Sequence, residues 1–288
     1  MDNSSQDRTK ADSQQDALIA EIKSRFDFTM IDEQPDAGLF AIVSWGQTAT
    51  TWLARVLNSH IDIMCTHAGW ILNPKLSDTK NRLPGLLQHY QLLADQTSTC
   101  SLVGDIHGVW MNEVPTLRAL FGSRFHAAAI TRDPIARLRS VLSHHLSDHV
   151  MEKAKPDWSA DAPEVQEVFK AYDLPEQSYE TYTFARCTRL INSVINERRL
   201  ARVFRFEDVT KDTDTLFDLF RCITHGKFND RDWIEQASKI KPTNSHVKKM
   251  KQKLEFEPWQ QDALKQIVFK DAWDAYAQLG YELPSYVG

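Results

Sequence analysis

The chain has 288 residues, a length suited to one large α/β domain or two small ones. Its apolar (42%) and charged (25%) fractions are those of an ordinary globular protein, and a net charge of −5 argues against a general nucleic-acid coat. The four cysteines, Cys65, Cys100, Cys187 and Cys222, form no Cys-x-x-Cys pair, which excludes a zinc module or disulfide framework of the usual spacing and fits a reducing, cytoplasmic setting.

The polar stretch from Met1 to Asp16 lacks the apolar core of a signal peptide and reads as a disordered tail. A single α/β domain is expected over residues 17–288. No apolar run nears the roughly 18 residues that span a bilayer, so no membrane partner is expected. In Ala17–Phe26, Leu18, Ile19, Ile22 and Phe26 fall on one helical face. Leu39–Val43 predicts a buried strand feeding a helix over Thr51–Asn58, with Trp52, Leu53, Val56 and Leu57 turned inward. Ile61–Cys65 predicts a second strand. The segment near 69–96, broken by Pro74, Pro84 and Gly85, reads as a helical excursion over the sheet. Leu102-Val103 opens a strand that ends near Asp105-Ile106-His107. Trp110–Phe121 predicts a helix closed by Gly122, and Phe125–Ile130 another buried strand. Asp133 then offers an N-cap, and Pro134 the first position, of a helix reaching His145.

From about 146 to 179 the chain is irregular, with Pro156, Pro163 and Pro175, and reads as a lid or acceptor-binding insertion. Tyr182–Arg199 predicts a long helix, Arg202–Phe206 a strand, and Asp212–Ile223 and Arg231–Ile240 two helices. A basic segment, Lys241–Leu254, precedes a last helix over Pro258–Leu279, stopped by Gly280. Strands alternating with helices predict an α/β fold with a mostly parallel sheet covered on both faces. Ligands of such sheets bind beyond the carboxyl ends of the strands, so the turns after Val43, Leu102 and Ile130 should converge on one site.

The first of these turns carries the strongest chemical signal. Gly46, Gln47, Thr48, Ala49, Thr50 and Thr51 join a strand directly to a helix, where free N–H groups and the positive end of the helix dipole favour an anion. There is no Gly-x-x-x-x-Gly-Lys-Ser/Thr, hence no lysine for β/γ-phosphates and no Lys-Ser/Thr pair for magnesium. Past the third strand stand Asp105 and His107. Past the fourth stands Arg132, with Ser140 two helical turns on. His144, His145 and His149 have no further ligand at metal spacing, so no metal site is expected.

In these residues the sequence resembles the sulfotransferase family, whose members take a sulfuryl group from 3′-phosphoadenosine-5′-phosphosulfate. The family's 5′-phosphosulfate loop, typically Lys/Arg-Ser-Gly-Thr-Thr-Trp/Leu after a strand, stands here as Gln47-Thr48-Ala49-Thr50-Thr51-Trp52. Its 3′-phosphate motif, an Arg after a strand and a Ser eight positions later, matches Arg132 and Ser140. His107 lies where one branch of the family has its base, and Phe206-Glu207-Asp208 matches a Tyr-Glu-Asp at a strand end. Ser245, Lys248, Lys249 and Lys251 stand where a late basic segment completes the 3′-phosphate site. The likeness spans roughly Leu39 to Leu279.

The resemblance implies a P-loop-like fold and an enzyme that sulfates a hydroxyl or amine of a small molecule, without a metal. His107 would be the general base, with Asp105 as the alternative base or its orienting partner. Trp52 would stack on adenine, with Phe206 near it, and Arg132, Ser140 and the lysines would hold the 3′-phosphate. Two residues depart from the pattern. Gln47 stands where the family has a cation, and Ala49 replaces glycine, so the turn must avoid positive φ or accept strain. These departures motivate the alternative of a donor-binding relative without turnover; a P-loop small-molecule kinase is the third reading. The acceptor would lie between the two insertions, among Trp70, Tyr90, Trp110, Trp158, Tyr172 and Tyr179. Asp148, Glu152, Asp157 and Asp161 there suit a polar or cationic metabolite.

Overall fold

The computed structural model describes residues 17, 19–22, 24, 38–45, 48–69, 85, 87–89, 91, 100–145, 179–241 and 256–287. Its elements run in chain order as β1 (Gly38–Val43), α1 (Thr50–Leu57), β2 (Ile63–His67), β3 (Leu102–Ile106), α2 (Trp110–Phe121), β4 (Phe125–Thr131), α3 (Pro134–His145) and α4 (Tyr179–Arg189). They continue as α5 (Ser193–Leu200), β5 (Arg202–Arg205), α6 (Phe206–Val209), α7 (Thr213–Thr224), α8 (Arg231–Ala237), α9 (Pro258–Ile267) and α10 (Lys270–Gln278).

The five strands form one sheet in the order β2-β3-β1-β4-β5, with every pairing parallel. The architecture is α/β. All six residues of β1 are buried, as a strand covered on both faces requires. Phe40 and Ile42 face one cluster, with Trp52, Leu53 and Val56 of α1 and Leu216, Leu219 and Phe220 of α7. Leu39, Ala41 and Val43 face the other, with Trp110, Val114 and Leu117 of α2, and buried Ile22 joins this side. A third cluster joins α3, α4, α9 and α10 through Leu138, Phe184, Leu264 and Tyr276. Gly104 is required where it stands. A Cβ there would lie 2.4 Å from the ring of Phe40 on the neighbouring strand.

Local signals place several ends as expected. Asp133 Oδ1 accepts the Ala136 N–H at 2.6 Å, with Pro134 opening α3. Gly122 closes α2 at φ 56. Other boundaries differ, among them the strand expected over Arg202–Phe206, which ends at Arg205, and the helix expected over Arg231–Ile240, which ends at Ala237. The second strand is Ile63–His67, because Ile61 is 84% exposed in the preceding turn. The helix expected over Tyr182–Arg199 tightens into a 3-10 turn at Leu190–Asn192 between α4 and α5. The last helix is two helices, α9 and α10, broken at Val268 and Phe269, both extended. Asn192 holds that break: its Nδ2 donates to the Ile267 carbonyl at 2.9 Å and its Oδ1 accepts the Phe269 N–H at 2.8 Å. No helix among the described residues is long and apolar enough to cross a membrane.

Candidate active site

The register brings three strand ends to one level. Ile42 pairs with both Ile106 and Ala128, and the His107 N–H donates to the Ile42 carbonyl at 3.0 Å. The chain leaves β1 toward β2 and leaves β4 toward β5, so a crevice opens between β1 and β4 where the connections diverge. Ser44 spans it, with its Oγ 3.3 Å from the Ile130 carbonyl and a further hydrogen bond to the Thr48 hydroxyl.

On the β1 side, Ala49 precedes α1 at φ 49, ψ 34. The turn therefore accepts the left-handed conformation that glycine supplies without cost; for an L side chain the penalty is about 1–2 kcal/mol. The first intrahelical bond runs from the Leu53 N–H to the Ala49 carbonyl at 2.9 Å. The amides of Thr50, Thr51 and Trp52 precede it and have no partner within the helix, which is the cradle an oxyanion needs. His67, at the end of β2, closes over the threonines: its Nε2 lies 2.8 Å from Thr50 Oγ1 and its Nδ1 3.3 Å from Thr51 Oγ1. Burial pulls its pKa down, against the pull of the Asp105 charge, so the imidazole stays neutral at pH 7. His67 was not singled out from sequence because the strand was expected to stop at Cys65.

On the β4 side, Thr131 pairs with Arg205, so Arg132 and Phe206 leave the sheet together. The Arg132 guanidinium lies 5.1 Å from the centre of the Phe206 ring. Burial pulls its pKa down, offset first by Glu207 and then by Asp133. It remains a cation at any working pH. Glu207 is structural: Oε1 accepts the Asp133 N–H at 3.1 Å and Oε2 the Tyr281 hydroxyl at 2.9 Å. Ser140 is half-buried on α3, two turns on. Arg137 was missed, since an arginine in a helix reads as a surface residue. It is buried, and its Nη2 donates to the Trp45 carbonyl at 2.8 Å.

At the end of β3, Asp105 and His107 stand two positions apart and take different partners. Asp105 is fully buried and accepts from Thr66 Oγ1 at 2.5 Å, the Gly69 N–H at 3.2 Å and Trp110 Nε1 at 2.9 Å. It therefore neither orients His107 nor reaches a ligand; it ties β2 and β3 to α2. Trp110, expected in an acceptor wall, is fully buried. His107 sits at the mouth, its ring centre 6.5 Å from that of Trp45. Its Nδ1 accepts the Val109 N–H at 3.1 Å, which puts the proton of the neutral ring on Nε2. Gly108 is required beside it, since a Cβ there would meet the Trp45 indole at 2.2 Å.

Trp52 belongs to the core cluster between α1 and the sheet. It is 4% exposed within the core, and its Nε1 donates to the Ile240 carbonyl. Adenine stacking on it is therefore withdrawn. Thr48, Ala49, Thr50, Thr51, Arg132, Phe206 and His107 line the carboxyl ends of the strands. Gly46, Gln47, Ser245, Lys248 and Lys249 lie outside the described residues, as do residues 1–16 and most of the two insertions.

No family model matches the sequence, and no curated protein matches it. Solved structures do. The chain is similar to the sulfotransferase from Alicyclobacillus acidocaldarius at 16% identity and a TM-score of 0.47, covering 86% of this chain and 98% of that one. It is similar to the sulfotransferase domain from the curacin biosynthetic pathway at 14% identity and 0.46, covering 86% and 99%. The sulfotransferase domain from the Synechococcus PCC 7002 olefin synthase gives 13% identity and 0.41, covering 87% and 97%. At such identities the functional reading rests on the site's own geometry.

Proposed function

We propose that the protein is a sulfotransferase that moves a sulfuryl group from 3′-phosphoadenosine-5′-phosphosulfate to a hydroxyl or amine of a small-molecule acceptor. The observation that carries this reading is the pairing of two anion-seeking features across the β1/β4 crevice. One is the open helix start at Thr50 behind Ala49; the other is Arg132, set against Phe206 on the adjacent strand end. One end suits a phosphosulfate, and the other a 3′-phosphate beside a base. The residues present thus fit the donor's two anionic ends.

The amides of the first turn of α1 would hold the donor's 5′ end, with the Thr50 and Thr51 hydroxyls oriented by His67. Arg132 would pair with the 3′-phosphate, which ATP lacks, and Phe206 would flank the base. Bound there, the donor supplies the sulfuryl group: the acceptor's lone pair forms a new bond to sulfur as the bond from sulfur to the 5′-phosphate oxygen breaks, its electrons leaving on that oxygen. His107 would take the acceptor's proton, and to do so its ring must release the Val109 amide and present a bare nitrogen. That bond, beside the departures at Gln47 and Ala49, favours the second reading, a donor-binding relative without turnover.

Calorimetric titration with 3′-phosphoadenosine 5′-phosphate tests the proposal, with ATP and the 2′-phosphate isomer as controls. Binding selective for the 3′-phosphate, weakened about 10- to 100-fold by Arg132→Ala, is expected. No binding would remove both readings. Binding without product across an acceptor screen would select the second.

A further inference from the structure

A cleft of about 510 Å³ opens beside the candidate site, with Trp45 as the wall it shares with His107. Leu190, Ile195 and Met111 give it an apolar floor. Phe269 closes one side and is 57% exposed, held out by the two hydrogen bonds from Asn192 that break the α9–α10 helix. At the far wall stand Arg186 and Arg189, both exposed in the last turn of α4. Three residues apart on a helix, they share one face. Among the described residues neither has an ion-pair partner, and none of the described residues lining the cleft is acidic. Two unneutralised guanidinium groups over an apolar floor form a receptor for an amphiphilic anion, because their planar forks match a carboxylate.

We infer that this cleft is the acceptor subsite and that the acceptor is a hydroxylated molecule with an apolar body and an anionic, carboxylate-like end held by Arg186 and Arg189. This rests on the sulfotransferase reading. It reverses the sign of charge expected from Asp148, Glu152, Asp157 and Asp161, which lie outside the described residues. The body lies along Leu190 and Phe269, and the hydroxyl points past Trp45 toward His107.

The test uses matched sets of one skeleton: 4-hydroxyphenylacetate, its methyl ester and tyramine, with a parallel aliphatic hydroxy-acid set. Turnover is measured with the sulfuryl donor, and binding by calorimetry in the presence of 3′-phosphoadenosine 5′-phosphate. Each acid should bind about 10- to 100-fold more tightly than its ester or amine. In the Arg186→Glu/Arg189→Glu variant that preference should vanish or reverse, with nucleotide affinity and melting temperature unchanged. Equal use of acid, ester and amine, or a preference that survives charge reversal, would overturn the inference while nucleotide binding kept the sulfotransferase reading standing. Failure of the wild-type protein to bind the nucleotide would remove both.

Discussion

The Nη2 of Arg137 donates to the carbonyl of Trp45 at 2.8 Å, across 92 positions of sequence and across the crevice between β1 and β4. A helix after one strand thereby holds the turn after another. The same charge favours the ionised form of Glu197, a fully buried carboxyl whose pKa burial drives up. Removing it should strand the Trp45 carbonyl and leave Glu197, which accepts from Ser193 Oγ at 2.8 Å, without that countercharge. Arg137→Met is expected to cost about 1–3 kcal/mol in urea unfolding, the usual cost of a buried acceptor left without its donor. Adding Glu197→Gln should recover part of that loss, because the buried acid that lost its countercharge goes with it. Equal stability of Arg137→Met and the wild type would show that the pair is not coupled.

The left-handed Ala49 gives a second prediction. Ala49→Gly removes the steric penalty and restores some unfolded-state entropy, so a net gain of about 0.5–1 kcal/mol is expected. Ala49→Val should lose more than 1 kcal/mol by the same logic. Urea midpoints for the three proteins check the order; nucleotide affinity should follow it, since the strained residue sets the direction of the first helical amides.

The Val109 amide on His107 makes a kinetic prediction. Val109 has φ −60, which proline adopts without strain, and proline has no N–H. In Val109→Pro, His107 Nδ1 loses the donor that holds its lone pair, and turnover should rise at unchanged nucleotide affinity. His107→Ala should lower kcat by about 10²- to 10⁴-fold with little change in nucleotide binding. A His107→Ala enzyme of full kcat would place the base elsewhere.

Far from the site, His126 stacks on His225 with ring centres 4.8 Å apart. Burial first, then the charges of His225, Lys227 and Arg118, push its pKa down to about 4. An unfolded histidine protonates near 6.5, so between about 6.5 and 4 the unfolded chain binds the extra proton. Stability from this group is whole above pH 6.5 and is lost as pH falls toward 4. His225→Asn should raise the His126 pKa part of the way and flatten that acid loss, as read by NMR titration and by urea unfolding at pH 4.5, 5.5 and 7. An unmoved His126 titration in the variant would show that His225 contributes nothing, leaving burial with Lys227 and Arg118 as the cause.

What was legible in the sequence was local or periodic. Asp133-Pro134 announced α3, Gly122 closed α2, and the apolar run at Leu39–Val43 announced a strand buried on both faces. The order of strands and helices was enough for an α/β sheet and for three turns meeting at its carboxyl edge. What was not legible depends on partners distant in sequence. Trp52 is core because Ile240, 188 positions on, accepts its N–H. The break at Phe269 is made by Asn192, 77 positions earlier, where neither glycine nor proline marks it. Asp105 turns away from His107 because Thr66 and Trp110 claim its carboxylate, a contest that no spacing rule encodes.

Tyr281 bears on how the protein is made. Its hydroxyl lies 3.2 Å from the Thr131 carbonyl, 150 residues earlier, and it also donates to Glu207, which secures Asp133 at the start of α3. A ribosome must therefore release that late segment before the turn carrying Arg132 has its full set of contacts. During synthesis the sheet can assemble first, while the turn carrying Arg132 waits for Tyr281 to emerge.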